Sequence, residues 1–259
     1  WPLFMLTLVG AVAMHAGTNL INDYYDVHFG LDTPEAATTQ YRPHPIVHDL
    51  IPARQVLIAA YCLFGLAAAI GLYLFLAIGW AVAVIGIIGL VAGIGYTSPP
   101  MKYKYLALGE LSVFLMWGPL MVEGAFYVQR RALSLDALLI SLPFGVLVAL
   151  VIFANNIRDI EQDRQSHVTT VAILLGQRIA MRVYLLLMAL AYAITILITA
   201  LGVLSPWGLL VFLSLPLALK LFKQMREHVP SGADAMTAQL DTAFGALLVA
   251  GLVIQNFLQ

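Results

Sequence analysis

From residue 56 to residue 101 the chain carries no Asp, Glu, Lys or Arg, and the same holds for residues 3–21 and 183–219. Such runs constrain the fold strongly, because a helix that faces water needs a polar side. A helix rising 1.5 Å per residue crosses the hydrocarbon core of a bilayer, about 30 Å, with about 20 apolar residues. Residues 3–21 have that length. Residues 56–101 have about twice it, with a natural break at Gly79 and Trp80, and divide into 56–77 and 81–96. Residues 106–128 and 133–155 follow, parted by Gln129, Arg130 and Arg131. Residues 183–219 are again of double length, broken at Gly202 and Ser205-Pro206, and 242–257 close the series. The expected fold is an all-α integral membrane protein, a multi-helix transmembrane bundle with eight visible spans. Composition agrees: 61% of residues are hydrophobic and 10% charged, against about 25% charged in a soluble domain.

Alternating these spans across the membrane puts the connections 23–54, 97–104, 156–182 and 220–241 on one face. They hold Arg42, Arg54, Lys102, Lys104, Arg158, Arg164, Arg178, Arg182, Lys220, Lys223 and Arg226, 11 of the 13 basic residues, while only Arg130 and Arg131 lie opposite. Loops rich in Lys and Arg stay inside, so the crowded face is expected to be the cytoplasmic one, in a prokaryotic plasma membrane. With a net charge of -1 the chain offers no basic surface to a phosphate backbone, so its expected partner is the membrane lipid bilayer and no nucleic acid. Cys62 is alone, which rules out an intrachain disulfide and suggests no cysteine metal site. The chain opens on Trp1 within an apolar run and without a basic leader, and an N-terminal piece is expected to precede it.

The acidic residues gather where spans end on the basic face. Asn22, Asp23 and Asp26 extend from the end of the first span, and helical spacing sets Asn22 and Asp23 beside Asp26; Asp32 follows after Gly30. Asn156, Asp159 and Asp163 stand at i, i+3 and i+7, the spacing of one stripe on a helix that also carries Arg158. Both stripes can face a common cavity. The two connections begin alike, at Asn22-Asp23 and at Asn155-Asn156, four spans apart, which suggests an internal pseudo-repeat. An isolated acid at a helix end is usually a solvated loop charge, but two matching clusters on one face call for another reason. Carboxylates that converge near a low-dielectric interior repel, and persist only if they protonate or bind cations. Oxygen ligands without His or Cys suit Mg²⁺, which takes one or two carboxylates and completes its shell with substrate phosphates. A diphosphate bridged by Mg²⁺ would satisfy both clusters at once.

Three blocks carry a family resemblance. NDYYDVHFGLD at 22–32 holds an NDxxD-type first motif, NNIRDIEQDRQSHVTTVAILLG at 155–176 holds a DxxxD second motif, and YTSPPMKYKYLALGELSVFLMWGPLMVEG at 96–124 sets Lys104 before Leu108-Gly109-Glu110. Together they resemble the UbiA superfamily of intramembrane prenyltransferases over nearly the whole chain. The interval from Asp26 to Asp32 and the middle block are most similar to the menaquinone-type branch, the 1,4-dihydroxy-2-naphthoate polyprenyltransferases. One departure is His167-Val168, where family members often carry Gly-Lys. The resemblance implies a single transmembrane prenyltransferase domain over residues 1–259 and nine helices, so the eight visible spans are expected to lack the first.

It also implies Mg²⁺-dependent transfer of a polyprenyl group from a prenyl diphosphate to an aromatic acceptor, 1,4-dihydroxy-2-naphthoate of menaquinone biosynthesis. Asp23, Asp26, Asp159 and Asp163 would hold the metal, with Asn22 and Asn156 completing the polar shell. Arg42, Lys102, Lys104 and Arg158 would neutralise the departing diphosphate, although each is equally explained as a cation of the cytoplasmic face. Tyr96 and Glu110 would contact substrate, Glu110 because an ionisable residue inside a span is costly and usually functional. Glu123, nearer the opposite face, reads as reaching the interface, His15 as a contact within the bundle and His28 as a loop residue. Tyr103, Tyr105, Phe114, Met116 and Trp117 line a prenyl tunnel or pack against lipid. Other acceptors stay open: 4-hydroxybenzoate, homogentisate, a chlorin or a glycerol phosphate lipid. From another class, a secondary transporter would use Glu110, Glu123 and Asp241 as an ion path, but such paths lie near the bilayer midplane, whereas these carboxylates gather at one face.

Overall fold

The computed structural model describes residues 1–258. Among them there is no strand, and eight apolar helices match the expected spans: α1 (Pro2–His28), α2 (Ala53–Ile78), α3 (Trp80–Gly95), α4 (Gly109–Arg130), α5 (Leu135–Arg158), α6 (Gln177–Ala200), α7 (Pro206–Glu227) and α8 (Ala233–Leu258). Seven are long and apolar enough to cross a bilayer, and α3 is shorter at 16 residues. The chain is an integral membrane protein. Leu72, Leu76, Leu186 and Leu213 are among its many exposed large apolar side chains, as a lipid-facing surface requires.

The helices run past the charge-free stretches. α1 continues through Asn22, Asp23 and Asp26 to His28, α6 begins at Gln177, and α8 begins at Ala233 and so takes in Asp234 and Asp241. Helix ends are set by backbone bonding and local partners, which hydropathy does not report.

The chain forms two compact units. The first comprises Trp1–Gly109, Leu120–Ser134 and Glu161–Thr170. In it α1 packs along α2 and against α3, around Ile21, Ala60 and Phe64, with Met14, Leu57, Leu90 and Ile94 beside them. Gly17 permits the close approach of α1 to α2: a Cβ there would lie 3.1 Å from the Phe64 ring and 3.2 Å from the Ala60 carbonyl. Without a hydrophobic force between helices in lipid, such small-residue contacts are what lets backbones pack.

The second unit comprises Glu110–Pro119, Leu135–Ile160 and the chain from Val171 onward. Its core is built on α5, whose Leu147, Leu150, Phe153, Ala154 and Ile157 meet Tyr184 and Met188 of α6 and Leu240 and Phe244 of α8. Two pairs of its buried hydroxyls bond each other, Tyr184 with Thr237 at 2.8 Å and Tyr192 with Ser214 at 2.7 Å, which spares them the cost of burial without a partner. A π-helical turn, Met116–Leu120, interrupts α4 at Pro119, which has no N–H to give the helix ladder.

Candidate active site

The last turns of α1 form the first carboxylate cluster. Asp26 is buried, and both its oxygens are bonded: Tyr105 Oη donates to Oδ1 at 2.6 Å, while Asn22 Nδ2 at 2.8 Å and Lys104 Nζ at 2.5 Å donate to Oδ2. Lys104 Nζ also donates to Asn22 Oδ1 at 2.9 Å. The i, i+4 contact of Asn22 with Asp26 is the one helical spacing predicts, whereas Lys104 arrives from 78 residues away. Lys104 and Tyr105 belong to a single 3₁₀ turn, Tyr103–Tyr105, entered through Lys102 with its backbone in the left-handed region at φ 33°. Burial, with the charge of Asp26 next and that of Asp32 adding to it, raises the Tyr105 hydroxyl far above its usual range, so it stays protonated and donates.

Asp23 faces a different set of partners. After α1, Gly30 adopts φ 75° and turns the chain, so that the Leu31 and Asp32 amides donate to the Asp26 carbonyl at 2.8 and 3.2 Å. This returns Asp32 to Asp23, and the ring of His44 closes the group: His44 Nε2 lies 3.2 Å from Asp32 Oδ2 and 3.7 Å from Asp23 Oδ1. Arg42 Nη2 lies 3.6 Å from Asp23 Oδ1 with half its side chain exposed. Burial pushes the Asp32 carboxyl upward, but the contact with His44 and the charges of Lys104 and Arg42 outweigh it and hold Asp32 below the ordinary carboxylate value. Candidate ligand atoms of Asp23, Asp32 and His44 all lie within 4.8 Å of one another. Two converging carboxylates with an amide and a third carboxylate beside them are the hard oxygen donors that fit Mg²⁺.

Of the other expected residues in this unit, Lys102 is exposed with Nζ 5.3 Å from the centre of the Phe29 ring. Tyr96 is buried edge-on to Tyr103 and has Lys104 Nζ 6.0 Å from its ring centre. Asp163 is half-buried in the short helix Ile160–Gln165. That segment is tied to the loop after α1, since Gln162 Nε2 donates to the Leu31 carbonyl at 2.7 Å. It is tied to the turn of Lys104 as well, because the Ala107 amide donates to the Thr169 carbonyl and the Thr169 amide to the Tyr105 carbonyl. Glu123 Oε2 accepts from the Ser134 amide at 3.2 Å.

The second cluster sits at the end of α5. Arg158 grips Asp159 with two bonds, Nε to Oδ1 at 2.7 Å and Nη2 to Oδ2 at 2.6 Å. Nη1 donates to Asp234 Oδ1 at 2.7 Å and to the Ser231 carbonyl at 2.9 Å, and Nη2 donates to Asn155 Oδ1 at 2.7 Å. A guanidinium has five N–H groups, and these five bonds engage them all. Asn156 Nδ2 donates to Glu110 Oε1 at 2.9 Å, which satisfies a carboxylate that the sequence set inside a span.

The single continuous helix expected to carry Asn156, Asp159 and Asp163 is interrupted. α5 ends at Arg158, Asp159 occupies a turn, and a separate short helix carries Asp163. Arg158 pairs the Asp159 carboxylate with its own side chain and bridges it to Asp234. The repulsion expected among the carboxylates is also relieved internally: Lys104 compensates Asp26, and Arg158 compensates Asp159 and Asp234. Two participants escaped sequence reasoning. Asp234 could have been suspected from its place in the first turn of α8, where a helix dipole favours an acid. His44 lies between Pro43 and Pro45, beside the expected Arg42, and that rigid setting was its one signal.

The sequence profile of the UbiA prenyltransferase family matches residues 1–251. Among curated relatives, the 1,4-dihydroxy-2-naphthoate octaprenyltransferase of Bacillus subtilis is 34% identical, over 98% of this chain and 82% of that protein. The 2-carboxy-1,4-naphthoquinone phytyltransferase of Synechocystis is 31% identical over 87% of this chain and 72% of that one. The UbiA prenyltransferase domain-containing protein 1 of Xenopus tropicalis is 31% identical over 97% and 72%. A solved structure of digeranylgeranylglyceryl phosphate synthase in membranes shares the fold with a TM-score of 0.60, at 15% identity over 96% of this chain and 84% of that one. Helices, motifs and profile agree along almost the whole sequence, and the chain belongs to the UbiA prenyltransferase family and is a prenyltransferase.

Proposed function

We propose that this prenyltransferase transfers a polyprenyl group from its diphosphate to 1,4-dihydroxy-2-naphthoate in menaquinone biosynthesis, with Mg²⁺ as cofactor and residues 1–259 working as one catalytic domain. The observation that carries the acceptor is the 34% identity, over 98% of the chain, to a Bacillus subtilis enzyme named for it. A second relative named for a carboxynaphthoquinone supports the same class of ring. The 11 of 13 basic residues on one set of connections support an active site at the cytoplasmic face of a plasma membrane.

Asp23, Asp26, Asp159 and Asp163 would hold the metal, and Asp32 joins them by its position beside Asp23. Bound Mg²⁺ would supply positive charge that stabilises the leaving diphosphate. Arg42, Lys102 and Lys104 carry the cations available to its oxygens, whereas Arg158 serves by orienting Asp159. Asn22 and Asn156 position neighbouring carboxylates, and Tyr96 and Glu110 stand for contacts with the substrates. The allylic C–O bond breaks with its electron pair leaving on the diphosphate. A ring carbon of the acceptor forms the new C–C bond, and the ring then loses a proton, or its carboxyl group as carbon dioxide. The apolar helices exclude water, which would otherwise trap the allylic cation as an alcohol.

The test is an acceptor panel assayed in detergent with geranylgeranyl diphosphate, with and without Mg²⁺. Prenylated dihydroxynaphthoate with stoichiometric diphosphate release, abolished by chelation, is the expected result. Preferred turnover of 4-hydroxybenzoate, homogentisate or a glycerol phosphate would overturn the acceptor, and full activity in chelator would overturn the cofactor.

A further inference from the structure

We infer that His44 is a positioning residue of the first carboxylate cluster, holding Asp23 and Asp32 together through a fixed Nε2–H, and is not itself a metal ligand. The inference rests on the reading that this cluster binds Mg²⁺ and diphosphate, and assigns that site a part the sequence did not show.

The side chain of His44 is fully buried, 0% exposed. Its Nδ1 accepts from two backbone amides, Ile46 at 3.2 Å and Val47 at 3.1 Å. The loop around it is itself fixed. The His44 amide donates to His48 Nδ1 at 2.8 Å, the His48 amide donates back to the His44 carbonyl, and the Leu50 and Ile51 amides donate to the Pro45 carbonyl. Pro43 and Pro45 remove the amides on either side of His44 and fix their own φ angles. The ring can therefore neither flip nor withdraw without breaking several bonds.

These bonds assign the tautomer. A nitrogen that accepts from two amides presents its lone pair, so in the neutral ring the proton is on Nε2. That nitrogen is the one 3.2 Å from Asp32 Oδ2 and 3.7 Å from Asp23 Oδ1. The triangle Asp23, Asp32 and His44 has the dimensions of a three-ligand metal site, but a metal would need the Nε2 lone pair, which the proton occupies. Moving that proton to Nδ1 would set it against the amides of Ile46 and Val47. Neither contact is aligned as a hydrogen bond, and the ring instead presents the positive end of its N–H dipole to two acids that otherwise repel. It draws Asp32, which comes from the loop after α1, to Asp23 of the helix, in the manner of the outer partners that orient ligating carboxylates.

Two substitutions divide the roles of the ring. In His44→Gln the amide nitrogen can take the place of Nε2–H, but the acceptor for Ile46 and Val47 is lost. In His44→Asn the carbonyl can take the place of Nδ1, but the side chain ends short of the carboxylates. Titrating purified protein in detergent with Mg²⁺ plus inorganic diphosphate, read by thermal shift and calorimetry, needs no turnover. Loss of an outer partner costs about 10- to 100-fold in metal affinity, and that loss is expected for His44→Asn, with most of it recovered in His44→Gln. An Asn variant that binds like the native protein would reduce His44 to a loop-forming residue and overturn the inference. Equal loss in both variants, with preference for Mn²⁺ over Mg²⁺ in the native protein, would make His44 a ligand and overturn it too. Should either variant fail to fold, ¹⁵N-histidine spectra of the native protein decide: the Nε2–H tautomer must persist on addition of Mg²⁺ and diphosphate, and its loss would overturn the inference. Asp23→Asn, measured alongside, isolates the underlying reading: unchanged binding there would remove the metal site itself, whatever His44 does.

Discussion

The two carboxylate clusters solve one electrostatic problem with different cations. At the end of α1, Asp26 is neutralised by Lys104, a compact ammonium delivered by a distant turn, with two of its three donors engaged by Asp26 and Asn22. At the end of α5, Asp159 is neutralised by its own neighbour Arg158, whose planar fork is fully engaged by four partners. A point charge on a flexible stem can follow a carboxylate and also meet an arriving anion, whereas a saturated fork holds what it already has. The difference suggests that the first cluster is adjustable chemistry and the second an architectural brace with one functional acid mounted on it.

The largest expected effect breaks that brace. Arg158→Met removes from Asp159 and Asp234, both mostly buried, the cation that bridges them, and loss of one partner from a buried ionic network costs about 3–5 kcal/mol. Thermal unfolding in detergent should show it, and Arg158→Lys should not restore it, since three donors on a point charge cannot reproduce the fork. Lys104→Met also takes the cation from a buried acid and should lower the melting temperature, by less because Tyr105 and Asn22 still bond Asp26, and its distinguishing effect is a severe loss of transfer. If both cations prove equally structural, the contrast fails.

Next in size are the acids. Asp26→Asn and Asp159→Asn keep volume and remove one charge, and loss of one well-placed electrostatic group costs about 10²- to 10³-fold in rate. Prenyl transfer at saturating Mg²⁺ reads it. Asp26→Asn also strips Lys104 of its carboxylate and should lower the melting temperature, so a stabilised variant would argue that carboxylate repulsion dominates after all. Tyr105→Phe removes one donor to Asp26 and should cost about 1–3 kcal/mol, shared between stability and rate. Glu123→Gln is expected to change least: its remaining oxygen can still accept from the Ser134 amide, and an inactive variant would move the chemistry away from both clusters.

What the sequence disclosed follows from the range of each interaction. Charge-free runs report burial in lipid directly, so the spans were legible, and i, i+4 spacing placed Asn22 beside Asp26. Partners brought together by tertiary folding left no periodic trace: Lys104 was visible as a cation but not as the counter-ion of Asp26, and Asp234 lay unremarked in a connection. Periodicity misled at Asp159, where the i, i+3, i+7 pattern continues in sequence although the helix stops at Arg158. The ion pair of Arg158 with Asp159 sits at that break. His44 was missed because its role depends on two backbone amides and on two acids, and no residue pattern encodes such a meeting.

The five-bond commitment of Arg158 has an evolutionary corollary. Residues 155, 158, 159 and 234 share one network of donors and acceptors, so none can drift alone without disturbing a mostly buried partner. Among relatives these positions should covary as a block, conserved together or replaced together by an apolar set. A double-substitution cycle on Arg158 and Asp234 measures the same linkage in one protein, where groups sharing a network couple by about 0.5–3 kcal/mol.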